Sequence, residues 1–567
     1  MGCGKLFRNR KRKKTVKYEK GSDFFIKKFE PLSFVKERKM PIIVSEIKIS
    51  PTEPKERAFE KALSLLGLRR AQNLSTSIAR ISVDARNKEN VRLVCSVAVS
   101  CEDEERIYEK HRAKNIALRK IAPAHIPMLK SEPKSRPVII GFGPAGMFAG
   151  LYLARAGARP IIFERGAKVE ERAAAVEEYW RGGALNREAN VQFGEGGAGT
   201  FSDGKLTTRI NDPRCDFVLR EFEKHGAPGE ILIKAKPHIG TDRLRSVVKS
   251  IREEVISLGG EVHFLSQVTD IEVKSGKVRS VTVNDAQIPA ENIILAAGHS
   301  ARDTFSVLKT KGVLMEAKPF SVGVRIEHLQ EDINRAQYGD FAENPALWAA
   351  EYQLSYKTEN RCAYTFCMCP GGYVVPAADH DEAVVTNGMS CFARDGKNAN
   401  SALVCSVSAE DFDGDPFKAM DFQEKIEHAA FVLGGGKAPA QTAGAFLGGG
   451  ASKFGRVEPT YARGVAEADI SSLFPAQITS VLRQGLLNFD KKLAGFAAAD
   501  SVLTAPETRT SSPVRIVRSE ASLEAVGAEG LFPCAEGAGY AGGIMSAAAD
   551  GIRCAEKVLE KLGGGTV

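Results

Sequence analysis

Tryptophan, paired cysteines and long apolar runs are what this chain of 567 residues has least of. It holds 2 Trp and 11 Cys. The cysteines stand at 3, 95, 101, 215, 362, 367, 369, 391, 405, 534 and 554, with no C-x-x-C among them. That spacing excludes a disulfide-stapled scaffold and a zinc ribbon, and it points to a reducing cytoplasm. One stretch imitates a membrane span, since Pro137 to Ala154 runs 18 residues without a charge. Its four glycines and two prolines make it a strand, turn and helix instead, so no membrane association is expected. No apolar segment of about 7–15 residues follows the N-terminal charges, which excludes a secretory signal. Leu6 stands where myristoylation needs Ser or Thr.

Charge of one sign is also scarce once the first residues are set aside. Residues 1–40 hold 14 Lys plus Arg against 4 Asp plus Glu, leaving 65 against 66 for all that follows. A basic body that tracks nucleic acid is therefore excluded. The run RNRKRKK (8–14) reads as part of a solvated, disordered tail, with nucleic-acid contacts limited to that tail. Met40 precedes the first strand-like stretch and reads as an alternative start, residues 1–39 then being an upstream extension.

What is present falls into blocks. A small α/β domain is expected over 41–125, with strands at Ile42–Ile49, Ile78–Asp84 and Val91–Ser100 and helices at Pro54–Leu66 and Asp103–Ile121. Two strands bracketing a helix, followed by a hairpin partner, predict a ferredoxin-like module. A polar, proline-bearing linker occupies 126–136. The remainder divides into a first dinucleotide-binding part (137–300), an inserted β-rich substrate or cap domain (301–504) and a C-terminal return (505–567).

The strongest local signal is PVIIGFGPAG (137–146), an apolar strand running into Gly141, Gly143 and Gly146 ahead of a small-residue helix that includes Pro144 and Ala145. Gly141 permits the tight turn, Gly143 the approach of a pyrophosphate, and Gly146 close helix–strand packing, with phosphate at the helix N-terminus. RPIIFE (159–164) reads as the second strand, and Glu164 at its end is placed for a ribose diol, with Arg165 next to it. Far downstream, LFPCAEGAGYAGGIMSAAADG (531–551) repeats the logic of a strand, then Glu536 and Gly537, then a helix entered through Gly542, Gly543 and Ile544. Backbone N–H groups there suit a flavin's pyrimidine edge.

Together with QFGEGGAGTFSDGKL (192–206), IILAAGHSARDTF (293–305), FCMCPGGYVV (366–375) and ETRTSSPVRI (507–516), these motifs give a chain that resembles the two-motif FAD oxidoreductases of the glutathione-reductase type. More closely, it is similar to the FAD-dependent dehydrogenases labelled NAD(FAD)-utilizing dehydrogenase, from about Pro41 onward. The resemblance implies non-covalent FAD, with Gly141, Gly143, Gly146 and Glu164 on the adenylate half and Val268 offering backbone to adenine. Ala297 and Gly298 would form the second fingerprint, with Ala297 where Thr is usual. Glu536 and Gly537 match a usual Gly-Asp. The loop 194–204, including Gly199, Thr200 and Phe201, with Lys205 after it, would meet flavin or pyrophosphate.

Catalytic residues are less defined. Cys367 and Cys369, at i and i+2 of a strand, share a face, so both thiols are placed to meet one flavin, although a bridge across one residue is strained. Arg509, set among hydroxyl side chains, is a candidate clamp for a carboxylate or pyrophosphate, as are Arg325 and Arg515. His299, directly after the AAG turn, reads as a satisfied structural histidine near the cofactor. No His, Cys or acidic cluster shows metal spacing, so no metal is expected. The chain is thus expected to be an α/β FAD-dependent oxidoreductase moving a hydride between FAD and a small organic substrate. No second strand–GxGxxG–helix unit appears, so NAD(P)H would act as a transient donor. The alternatives are an RNA-linked flavoprotein and a flavin-based redox sensor without turnover.

Overall fold

A computed structural model describes residues 40–69, 71, 73–119, 126–448 and 450–563. The basic tail therefore lies outside the described residues. The chain divides into two compact units.

The smaller unit is built on β1 (Ile42–Ile49), α1 (Glu56–Leu65), β2 (Ser75–Asp84), β3 (Arg92–Ser100), α2 (Glu104–Lys110) and β4 (Ile116–Leu118). Its sheet order is β2-β3-β1-β4 with every neighbour antiparallel, the ferredoxin-like arrangement. Alternation places Ile42, Val44, Val97 and Val99 inward, and Ala58 and Ala62 of α1 close over them. The expected helix Asp103–Ile121 is corrected. It stops at Lys110, because the β-favouring Ile116–Leu118 pairs with β1 and supplies the fourth strand. Residues 227–238 and 337–348 also belong to this unit, and Lys234 bridges Ile81. These distant segments carry no local signal of that membership.

The larger unit opens with β5 (Val138–Ile140), α3 (Pro144–Arg155), β6 (Ile161–Phe163), α4 (Val169–Trp180), α5 (Arg214–Lys224), α6 (Thr241–Ser257) and β7 (Glu261–His263). A meander of β8 (Val268–Lys274), β9 (Lys277–Val283) and β10 (Ala286–Pro289) leads to β11 (Ile293–Leu295). The sheet is wholly parallel, with Leu531–Pro533 beside β11, then β5, β6 and β7. Its short strands are nearly all apolar, as strands covered on both faces must be. The stretch 137–154 that imitated a membrane span is β5 and α3, and no described helix is long and apolar enough to cross a membrane.

Between β11 and Leu531–Pro533 the chain builds a seven-stranded sheet centred on Phe320–Leu329, every residue of which is buried. Strand Val502–Glu507 pairs with that centre and straddles the domain boundary expected at 504. The C-terminal helix Ile544–Lys561 packs on α3 so closely that a Cβ on Gly551 would overlap the Ala145 carbonyl.

Candidate functional site

Two glycine-led helix starts define the site. Gly141 ends β5 with φ +97°, and a Cβ there would stand 2.5 Å from the Ala296 carbonyl oxygen, so only glycine lets the turn pass beneath β11. Pro144 opens α3 with no side-chain cap, which leaves the first-turn amides without intrahelical acceptors. A Cβ on Gly146 would overlap the Gly141 carbonyl, which is the close packing the motif requires. Gly543 (φ +82°) starts the C-terminal helix in the same uncapped way.

Both starts open on one cavity of about 260 Å³. Among the residues singled out from sequence, Gly141, Gly143, Pro144, Ala145, Glu164, Arg165, Gly199, Lys205, Val268, Ala297, Gly298, Glu536, Gly537, Gly543, Ile544, Cys367 and Arg509 line it. Thr200 and Phe201 do not. They lie in a short 3-10 turn whose side chains are fully buried, Phe201 against Trp180 with the Arg172 and Arg245 guanidiniums over its ring. Gly542 is also outside the lining, one residue short of the helix start. Gln192, Asp203, Phe366, Thr386 and Asn387 line the cavity without having been singled out. Of these, Gln192, Asp203 and Phe366 had a signal, lying in the motifs 192–206 and 366–375, whereas Thr386 and Asn387 had none.

The end of the cavity at Gly141 and Glu164 is held from behind. Glu164 is buried and its carboxylate accepts from the amides of Phe142 (2.8 Å), Gly166 (2.9 Å) and Gly194 (3.0 Å). With about four acceptor sites per carboxylate, one remains on Oε2 for a ligand hydroxyl. Arg172 of α4 is fully buried, and its guanidinium donates to the carbonyls of Asn190, Val191, Gly194, Glu195 and Gly197. Burial pulls its pKa down to about 9, against the opposing pull of Glu164 and Glu195, so it keeps its proton at neutral pH. Arg165 pairs with Glu188 (2.6 Å) and Asp303 (3.0 Å) and lies 4.1 Å over the Phe193 ring.

The arginine clamps foreseen on the substrate side are corrected. Arg509 is buried, and its donors go to Glu427 (2.7 and 2.9 Å), Asp379 (3.0 and 3.2 Å) and Ser300 (2.9 Å). Burial opposes its charge, yet Asp379 and Glu427 raise its pKa, so it is an internal strut with no donor left for a substrate. Arg325, with no exposed surface, is bidentate to Glu507 (2.6 and 2.9 Å) and also serves Asn400 and the Cys367 carbonyl. Arg515 is half-exposed beside Glu316. Lys205 is not a free cation facing the cofactor either. Its Nζ donates to the Met368 carbonyl and stands 3.5 Å from Glu351.

The expectation that both thiols meet one flavin is also corrected. Pairing with strand Asn398–Val407 slips between Phe366 and Cys369, and Cys367 takes φ +45°. The bulge turns Cys367 to the cavity and buries Cys369 behind it. A hydrogen bond from the Cys369 thiol, aided by Arg325 and Lys205 and opposed by burial, lowers the Cys367 pKa to about 6.

His299 lines the cavity, but its buried Nε2 has no hydrogen-bond partner among the described residues, which corrects the reading of a satisfied structural histidine. Burial and then Arg509 lower its pKa to about 3, so the ring is neutral. Glu536 stands 3.8 Å from His299 Nδ1, and burial raises its pKa to about 7. Elsewhere in this unit Glu221, His225 and Glu254 converge, but Arg155 bonds both carboxylates and already supplies the cation.

Comparison with known proteins places these features in company. Residues 135–336 match the family model for pyridine nucleotide-disulphide oxidoreductase, and residues 319–510 match that for FAD-dependent protein, C-terminal domain-like. An uncharacterized protein of Clostridium beijerinckii is 48% identical over 531 residues, spanning 92% of this chain and 99% of that one. Among solved structures, glycerol-3-phosphate dehydrogenase from Bacillus halodurans complexed with FAD is 11% identical, with TM-score 0.33, over 78% of this chain and 67% of that one. Glycine oxidase from Geobacillus kaustophilus is 13% identical, with TM-score 0.33, over 75% of this chain and 95% of that one.

Proposed function

For a chain that belongs to the FAD-dependent oxidoreductase family shared with the Clostridium beijerinckii protein, we propose a hydride transfer between non-covalent FAD and a small organic substrate, with NAD(P)H as transient donor. The observation that carries this reading is that two uncapped helix N-termini, at Pro144 and Ile544, open on one cavity floored by Ala297 and Gly298.

The residues present fit FAD. Gly298 and Gly543 have open space where a Cβ would stand, so flat ring or chain atoms can lie against backbone there. The first-turn amides of α3 would hold the pyrophosphate, and the remaining acceptor site of Glu164 a ribose hydroxyl. Val268 would lie at adenine, and Glu536 and Gly537 at the ribitol. The amides after Gly543 would place a positive dipole end at the pyrimidine edge, favouring added negative charge. FAD supplies the two-electron chemistry; the chain binds, orients and excludes water. Gln192, Phe366 and Asn387, also in the lining, would be left to face the substrate.

The test is an absorbance spectrum of the purified protein followed by anaerobic NADH or NADPH. Twin flavin bands that bleach are expected. Bands that persist would overturn the nicotinamide donor and favour a substrate-reduced dehydrogenase. A protein that takes up no FAD on reconstitution would overturn the cofactor assignment.

A further inference from the structure

An ion inside a water-poor cavity is held only where the wall offers an opposite charge that is not already spent. Among the described residues that line this cavity, each lysine and arginine is spent within the protein. Arg509 is closed by Glu427 and Asp379, Arg165 by Glu188 and Asp303, and Lys205 by Glu351 and the Met368 carbonyl. The carboxylates of the lining are spent as well. Asp203 takes both arms of buried Arg394 (2.5 and 3.0 Å) and the Ser390 hydroxyl, and Glu507 takes both arms of Arg325 and the Thr386 hydroxyl. Glu164 is filled by three amides, and half-buried Glu536 belongs to the ribitol in the function proposed above. What stays open is uncharged. Phe366 lines the cavity with 42% of its surface exposed, the one aromatic ring among the exposed large apolar side chains described. Gln192 is tied at both ends, accepting from Ser300 and donating to the Ala377 carbonyl. Asn387 differs, because its Oδ1 accepts from the Gly388 amide (2.9 Å) and its Nδ2 is left as a donor with no acceptor among the described residues. A second polar atom of the lining without a partner, Nε2 of His299, belongs to a ring held neutral.

We propose that the substrate of this site is an uncharged, flat carbonyl compound, with its plane against Phe366 and its oxygen on Asn387 Nδ2. The assignment rests on the cavity being the flavin site proposed above. A carboxylate or an ammonium enters with no counter-ion to meet it, and gains one only by breaking an internal pair. A neutral flat molecule loses little hydration and gains an aromatic wall and one directed hydrogen bond. Amino acids, hydroxy acids and phosphate esters, all charged in neutral water, are therefore excluded as substrates. The reduced nicotinamide ring is itself an uncharged, flat carboxamide, so donor and substrate use one wall in turn.

The experiment is equilibrium dialysis of the full chain, loaded with FAD, against three ring-matched probes at neutral pH: acetophenone, benzoate and benzylammonium. Acetophenone is expected to bind about tenfold tighter than either ion. Phe366→Ala is expected to weaken its binding about fivefold, and Asn387→Leu by about the same factor, with both variants melting as the parent does. Benzoate or benzylammonium bound as tightly as acetophenone, with FAD in place, would overturn the neutral substrate and leave the cofactor reading standing. Binding of none of the three, or acetophenone held equally by the parent and both variants, would overturn it too. If the chain takes up no FAD the cofactor reading falls, and the same ranking of the probes without FAD still supports selection of neutral ligands by this wall.

Discussion

Replacing Arg172 with Met tests whether the glycine loop is held from inside. Five backbone carbonyls accept from this guanidinium at 2.6–3.1 Å. Three of them keep another donor in the variant: Gly194 from the Gly197 amide, Glu195 from Thr200 Oγ1 and Gly197 from the Thr200 amide. The carbonyls of Asn190 and Val191 lose theirs. A buried acceptor left unpaired costs about 1–3 kcal/mol, so the two cost about 4 kcal/mol together. Release of a fully buried charge offsets part of that, leaving a net loss of about 3 kcal/mol. Arg172→Lys keeps the charge but presents a point cation in place of a planar fork, so it should recover less than half. The assay is thermal unfolding beside FAD titration, because Gly194 and Gly197 line the cavity. Weakening of FAD binding by at least tenfold, about 1.4 kcal/mol, is expected. An Arg172→Met protein that unfolds within about 1 kcal/mol of the parent and binds FAD equally well would refute the reasoning.

The other predictions are shorter. Gly141→Ala should fold poorly, since its Cβ meets the Ala296 carbonyl at 2.5 Å, whereas Gly143→Ala, with φ −76° and its nearest neighbour at 3.7 Å, should melt normally yet bind FAD weakly; matched melting of the two variants would contradict this. His328 is held neutral by burial, with a folded pKa near 4, so its contribution to stability is lost as pH falls from about 6.5 toward 4. Between pH 7.5 and 5, His328→Gln should therefore gain about 2 kcal/mol on the parent, read as a difference between melting curves. The comparison must be between variants, because Glu195 and Glu536, raised to about 7 by burial, titrate with the opposite sign. Glu507→Gln removes the charge that pairs buried Arg325 and should cost about 3–5 kcal/mol in urea unfolding; a cost below about 1 kcal/mol would show that Asn400 suffices.

Legibility followed the range over which each feature is determined. The strand–glycine–helix starts were readable because Gly146 answers to the Gly141 carbonyl five residues away and Gly141 to its own φ of +97°, although the contact that excludes a Cβ at Gly141 is with distant Ala296. The ferredoxin-like order was readable from β1 to β3, but α2 was overextended because Ile116–Leu118 becomes a strand only by meeting β1. Arg172 sits in VEERAAAVEEYW, where an arginine reads as surface; its burial depends on a loop 18–25 residues later. Arg509 was misassigned for a related reason, since Asp379 and Glu427 reach it across 130 and 82 residues. Thr200 and Phe201 fell on the wrong side of the loop because glycine density reports backbone freedom and not side-chain direction. The bulge at Cys367 leaves no trace in the run CAYTFCMC, which reads as an ordinary strand.

The neighbour relation of Leu531–Pro533 and β11 also fixes an order of events during synthesis. A ribosome releases the α3 helix start four hundred residues before the one at Ile544, so the growing chain carries half a nucleotide site over that whole span. An edge of β11 stays open until the final strand emerges, and a flavin cannot be clasped from both sides before then. Closure of the site from both sides is thus late in synthesis, and a translation product stalled short of residue 531 would expose that edge.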